Sequence, residues 1–240
     1  MFPNDIDYDK LVFMVLRDFG SAISDWLKGA PKDEIVLMNN LTRYFARVRR
    51  NCDIGINTVI SVETEVYELH RKGKAKSDLY GSDLAVTVGI KNIGFLKTAL
   101  FQLKKSANHS AIIDKTQLLS AVSQKQCYDR SFVLAVDEIK ESIRLMDFKS
   151  ILSQYDIDKG NIEKTFSTGN WQFLSTWLYE WMSCNIGPVS DPNDNNSIET
   201  LLKKYAVSPP ISHWESQEPD INHDDIIPAK VWLQVNFKGQ

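Results

Sequence analysis

The sequence predicts an α/β or α+β fold, a central mixed sheet flanked by helices, and three observations carry that expectation. Helical apolar spacing fills much of the chain up to residue 76 and returns near residue 170. Between these stretches, two short runs of alternating apolar residues (84–88 and 98–104) flank the turn-prone Asn92-Ile93-Gly94, and the unbroken apolar run 130–138 reads as a buried strand. With a helix at 114–124, the middle of the chain becomes helix, strand, strand, helix, strand, an order that packs helices against a sheet. The 240 residues suffice for a sizeable core.

Taken in order, residues 8–28 place Leu11, Met14, Val15, Ala22, Ile23, Trp26 and Leu27 close to helical period. A second helix is expected after Pro31, with Asp33 and Glu34 near its positive end and Arg43, Arg47, Arg49 and Arg50 in its last turns. Residues 58–76 (TVISVETEVYELHRKGKAK) read as a third helix with Val59, Val62, Val66 and Leu69 as its buried stripe. The hairpin follows, then the helix DKTQLLSAVSQ, the strand RSFVLAVDE and a helix through EIKESIRLMDFKSIL. Residues 170–185 form an aromatic helix whose stripe of Trp171, Leu174, Trp177, Leu178 and Trp181 suits a core or a homodimer or partner interface. A short helix is expected at IETLLKKY and a final strand at VWLQVNF, amid Pro, Asp, Asn and Ser. The expected organisation is an N-terminal helical segment (1–54) packed on a core (55–150), followed by a helical and loop-rich elaboration (151–240).

Composition narrows the function classes. No apolar run approaches the ~20 residues of a membrane span, and the acidic N-terminus does not resemble a signal peptide, so no membrane partner and a cytoplasmic location are expected. Cys52, Cys127 and Cys184 lie far apart without metal-ligand spacing and are expected to be buried thiols. Net charge is −3, but residues 41–115 hold 13 Lys and Arg against 7 Asp and Glu, or +6, which leaves −9 for the rest. A basic middle in an acidic protein suits a phosphate-bearing partner.

In the hairpin, alternation puts Asp83, Ala85 and Thr87 on one face of the first strand and Leu100, Gln102 and Lys104 on one face of the second. With Val86 opposite Phe101, Asp83 falls beside Lys104 and Gln102 beside Ala85. A slide of two residues preserves the faces, so the polar trio converges in either register. On the third helix, Glu63 and Glu65 each lie roughly 80° from the centre of the apolar stripe and Glu68 roughly 140°, so either of the first two can reach the sheet edge. A carboxylate from a helix, an aspartate entering one strand and a Gln-x-Lys leaving the next make a hard-cation site with an adjacent ammonium.

The glutamate, the Gly-Ser-Asp at 81–83 and the Gln-Leu-Lys at 102–104 resemble the PD-(D/E)xK nuclease superfamily, with its restriction-endonuclease-like fold, in the variant where glutamine replaces the second acid. The resemblance covers roughly residues 55–140. It implies a Mg²⁺- or Mn²⁺-dependent endonuclease that hydrolyses phosphodiesters of nucleic acid, DNA ahead of RNA as the expected substrate, in restriction or anti-phage defence. It implies Asp83 as central metal ligand, Glu65 or Glu63 as a second, the Gln102 amide oxygen and the Leu103 carbonyl as further ligands, and Lys104 beside the attacking water. Arg47, Arg50, Arg71, Lys72, Lys105 and Gln117 are the expected substrate contacts. The alternative is a catalytically inactive module of the same fold that binds nucleic acid or a protein partner.

Overall fold

A computed structural model describes residues 62–69, 79–90, 94–106, 110–137, 142–153, 162–165, 170–191 and 193–205. The helices expected at 8–28 and 31–50 and the strand expected at 231–237 lie outside these residues. Six strands form one sheet in the order β1 (Val62–Glu68), β2 (Leu84–Ile90), β3 (Phe95–Ser106), β5 (Ser131–Asp137), β6 (Ser142–Asp147) and β8 (Gln172–Phe173). The pair β3 and β5 is parallel and the other pairs are antiparallel, so the sheet is mixed. Between β3 and β5 the chain makes β4 (Ser110–Ile113), α1 (Lys115–Ser123) and α2 (Lys125–Tyr128), as the crossover between parallel neighbours demands. A second, two-stranded sheet pairs β4 with β7 (Ile162–Thr165). The remaining helices are α3 (Phe148–Leu152), α4 (Leu174–Met182) and α5 (Ile198–Tyr205).

Helices cover both faces of the large sheet. On the face that carries Gln102, Val133, Ala135 and Met146 pack with Leu118 and Ala121 of α1 and with Phe148 and Ile151 of α3. Further along that face, Ala85 and Leu100 pack with Ile198 and Leu202 of α5. On the other face, Phe101 and Phe132 meet Trp177 of α4 edge to face, at centroid separations of 5.4 and 5.0 Å, and Trp181 stacks on Trp177 at 5.3 Å. Trp171, Trp177 and Trp181 are thus buried in the chain's own core, where a subunit interface was one expectation.

Polar groups fasten the later helices to the sheet. Lys97, fully buried in β3, donates to the Trp181 carbonyl at the end of α4. Burial lowers its pKa from the ordinary 10.5 to about 8. Its neighbour Thr98 donates to Glu199 Oε1 of α5, which also accepts from the Ser190 hydroxyl at 2.8 Å and lies 4.0 Å from the Arg130 guanidinium. Leu96 O accepts from Ser190 N–H at 2.8 Å, extending the attachment along the backbone.

Several sequence expectations need correction. Within 58–76, residues 62–68 form strand β1 rather than helix, because VETEVYE also alternates with period two and a partner strand supplies its ladder. The stretch expected to be helical through EIKESIRLMDFKSIL contains β6, and helix begins only at Phe148, after Asp147 caps it by accepting from Ser150 N–H at 2.7 Å. The hairpin pairs Leu84 with Phe101 and Ile90 with Phe95, two residues from the expected register. An even slip leaves each side chain on its own face. Cys127 is buried and its thiol is pushed up to about 12 by desolvation, but Cys184 is exposed rather than buried. No helix among the described residues is long and apolar enough to cross a membrane.

Candidate functional site

The left-handed turn at Tyr80 (φ 57°) and Gly81 (φ 68°) delivers the chain into β2. A Cβ at position 81 would stand 1.9 Å from the Gln117 carbonyl oxygen, so only glycine allows this turn to seat directly on the backbone of α1. Two residues on, Asp83 N–H donates to the Phe101 carbonyl at 2.8 Å, while its Oδ2 accepts from Leu103 N–H at 2.7 Å. The carboxylate therefore lies against β3 at Leu103, the residue after Gln102. In an extended strand a residue's N–H and C=O project to the same side. The Leu103 carbonyl is accordingly directed toward the Asp83 side.

Gln102 is fully buried. Its amide Nε2 donates to Gln117 Oε1, and its own Oε1 has no hydrogen-bond partner among the described residues. Gln117 is held in turn: Asp114 caps α1 by accepting from Gln117 N–H at 2.9 Å. The sequence signal for this arrangement is the spacing Asp-x-x-Gln at 114–117, a capping pattern. Here the glutamine side chain accepts from Gln102 on the adjoining strand. Gln117, expected to contact substrate, hydrogen-bonds Gln102 in the structure.

Lys104 is half-buried, two residues beyond Gln102 and opposite Ala135 in register, and thus shares Gln102's face by alternation. Neither a hydrogen bond nor an ion pair engages it among the described residues. Lys105 pairs with Val136 and alternates away. Asp83, Gln102, Leu103, Lys104 and Gln117 are therefore gathered at one end of the β2–β3 pair.

Glu63 and Glu65 are not gathered there. They belong to a strand, with Glu63 opposite Gly89 and Glu65 opposite Thr87. Thr87 is four residues from Asp83, which separates Glu65 from it by about 13 Å at ~3.3 Å per residue. The β1-side neighbour of Asp83 is Leu69, whose N–H donates to the Asp83 carbonyl at 2.8 Å. Arg47, Arg50, Arg71 and Lys72 lie outside the described residues. No group of three or more His, Cys, Asp and Glu with metal-site geometry occurs among the described residues.

The donor set nevertheless suits one kind of metal. Magnesium takes oxygen ligands, retains waters and asks the protein for only one or two carboxylates. Asp83 offers a carboxylate, Gln102 a buried amide oxygen lacking a protein partner, and Leu103 a main-chain carbonyl directed to the same side. Comparisons with protein-family models, curated proteins and solved structures return no match.

Proposed function

We propose that the chain is a metal-dependent nuclease with a restriction-endonuclease-like core, acting on DNA in preference to RNA, with restriction or anti-phage defence as its setting. The observation that carries this reading is the buried Gln102, whose Oε1 lacks a partner among the described residues, next in sequence to Leu103, whose N–H donates to the Asp83 carboxylate. A buried amide oxygen without a donor is costly and calls for a ligand. The order of elements supports the reading too: a strand entered after Asp83, a hairpin, a strand bearing Gln102 and Lys104, a helix, then a parallel strand.

In this reading Asp83, Gln102 Oε1 and the Leu103 carbonyl would hold one Mg²⁺ or Mn²⁺. The bound cation supplies Lewis acidity and a more acidic water. Gln117 keeps the Gln102 amide in the orientation that presents oxygen, because its own oxygen accepts from Nε2. Lys104 Nζ donates to the attacking water or to a phosphate oxygen, where its positive charge offsets the negative charge that develops during displacement. Glutamine in place of an acid offers one negative charge fewer, which would weaken binding of the cation in the absence of a substrate phosphate.

The test is cleavage of single- and double-stranded DNA with Mg²⁺ or Mn²⁺. Asp83→Ala and Lys104→Ala should each lower the rate at least about a hundredfold, with unchanged circular dichroism. Retained cutting by the Asp83 variant would overturn the assignment. The displaced Glu63 and Glu65 favour a second reading, a nucleic-acid-binding module without catalysis. Its signature is salt-sensitive binding that needs no metal and yields no cleavage.

A further inference from the structure

The register of the large sheet sets four residues in one row. Lys104 of β3 pairs with Ala135 of β5, Ala135 with Arg144 of β6, and Arg144 with Phe173 of β8. Paired residues share a face, so the row lies on the face that carries Gln102 and runs from the Asp83 site to the β8 edge of the sheet. At ~4.8 Å per strand, the Cα atoms of Lys104 and Arg144 stand about 10 Å apart, with Phe173 ~5 Å further on. Ala135 is sealed into the core with Ala111 and Ile113, which leaves the two cations and the ring as what the row offers a ligand.

Arg144 is half-buried, and neither a hydrogen bond nor an ion pair engages it among the described residues. Its Nε is buried without a partner. Its guanidinium carbon stands 3.5 Å from the centre of the Phe173 ring, a face-on stack that uses none of its N–H groups. Asp137, two residues beyond Ala135 on the same face, is buried and pairs with neither Arg144 nor Lys104. A guanidinium held flat on a ring, with its N–H edge unpaired, is set to grip a phosphate bidentately.

The ring itself is open on its other side. Phe173 is 51% exposed, more than a main chain alone supplies, whereas Phe132 and Trp177 are each 3% exposed and closed off by neighbouring rings. An open ring beside a cation suits an unstacked base, because every base has a face to stack and its own phosphate lies close by. A duplex keeps its bases stacked on one another and has none to give.

We propose that Arg144 and Phe173 hold a single strand of nucleic acid as it leaves Lys104, the guanidinium on a phosphate and the ring under an unstacked base. The inference rests on the reading of the chain as directed at nucleic acid, but not on cleavage. It narrows the substrate to one with a single-stranded segment on the β8 side of the site.

The full chain, free of divalent metal, is titrated with a fluorescein-labelled oligodeoxynucleotide, single-stranded and as a duplex, at several salt concentrations, followed by anisotropy. The single strand should bind more tightly. Arg144→Ala should weaken it about tenfold and lower the salt slope by about one. Arg144→Lys keeps the charge without the flat stack or the bidentate grip, so it should weaken binding about threefold and keep the slope. Phe173→Ala, at an exposed position where folding is not at stake, should cost the single strand about fivefold or more and leave duplex binding within about twofold. Equal affinity for single strand and duplex, wild-type affinity and salt slope in Arg144→Ala, or an equal loss on both substrates in Phe173→Ala would each overturn the proposal. Asp83→Ala should bind at least as tightly as the wild type. Binding that meets these expectations without cleavage in Mg²⁺ removes the nuclease reading alone, and cleavage of single strands that Arg144→Ala and Phe173→Ala leave unchanged removes this inference alone.

Discussion

Near its start β3 buries Lys97 and Thr98, and near its end it buries Gln102. At the first place, later helices close over the polar groups: the Trp181 carbonyl takes the Lys97 ammonium and Glu199 takes the Thr98 hydroxyl. Glu199 Oε2 is left without a partner, but the residue is only 2% exposed and its other oxygen already serves two hydroxyls. At the second place, the groups around Gln102 are Asp83 and Lys104, both half-buried, so the polar cluster leads outward. A buried polar side chain in a strand is thus no sign of a site by itself. What separates the two cases is whether the surrounding groups seal the polar atoms in or lead from them to solvent.

That contrast can be broken experimentally. Glu199→Ala should be the costliest change to the fold, about 3 to 5 kcal/mol, because it leaves the largely buried Arg130 without its carboxylate. A urea titration reads the loss directly, and a shift below 1 kcal/mol would mean that this end is not locked by its polar groups.

Lys97→Met comes next and runs the other way. It keeps the volume and removes a buried charge, so stability at pH 7 should rise by about 1 to 4 kcal/mol. The pH dependence fixes the cause. Folded Lys97 releases its proton near pH 8, whereas the unfolded chain holds it to 10.5. Between those values the unfolded state binds more protons, so wild-type stability relative to the variant should climb as pH rises. A gap between the two proteins that stays constant from pH 7 to 10 would remove burial of the charge as the explanation.

The smallest effect on the fold is expected at the other end. Gln102→Leu should change stability by less than about 1 kcal/mol, since it removes an unsatisfied oxygen together with one hydrogen bond. On the nuclease reading proposed above, cleavage should in contrast fall to background. Equal loss of stability and cleavage would place Gln102 with Lys97 and Thr98 as a structural residue.

How much of this was legible depended on whether local pattern and tertiary pairing agreed. The helix at 115–123, the strand at 131–137, both strands of the hairpin and the helices at 174–182 and 198–205 follow from periodicity or, for 131–137, from an unbroken apolar run. Strand β1 was hidden because Val62, Val66 and Leu69 satisfy a helical spacing while Val62, Thr64 and Val66 also alternate as in an extended strand, and only β2 decides between them. The same ambiguity concealed β6, whose charged flanks imitate a surface helix. For the site, alternation was enough to bring Asp83, Gln102 and Lys104 together whichever register the hairpin took. The glutamates were misplaced because their position had been measured on a helix that is a strand. The role of Gln117 needed the fold, since no local rule says which strand a capping glutamine will face.

The contact at Gly81 has a mechanical consequence. With no room for a single carbon between the turn and the Gln117 backbone, α1 serves as the datum from which the entrance of β2 is set. The same helix, through the Gln117 side chain, sets the Gln102 amide. A displacement of α1 would therefore disturb the entrance of β2 and the orientation of the Gln102 amide together.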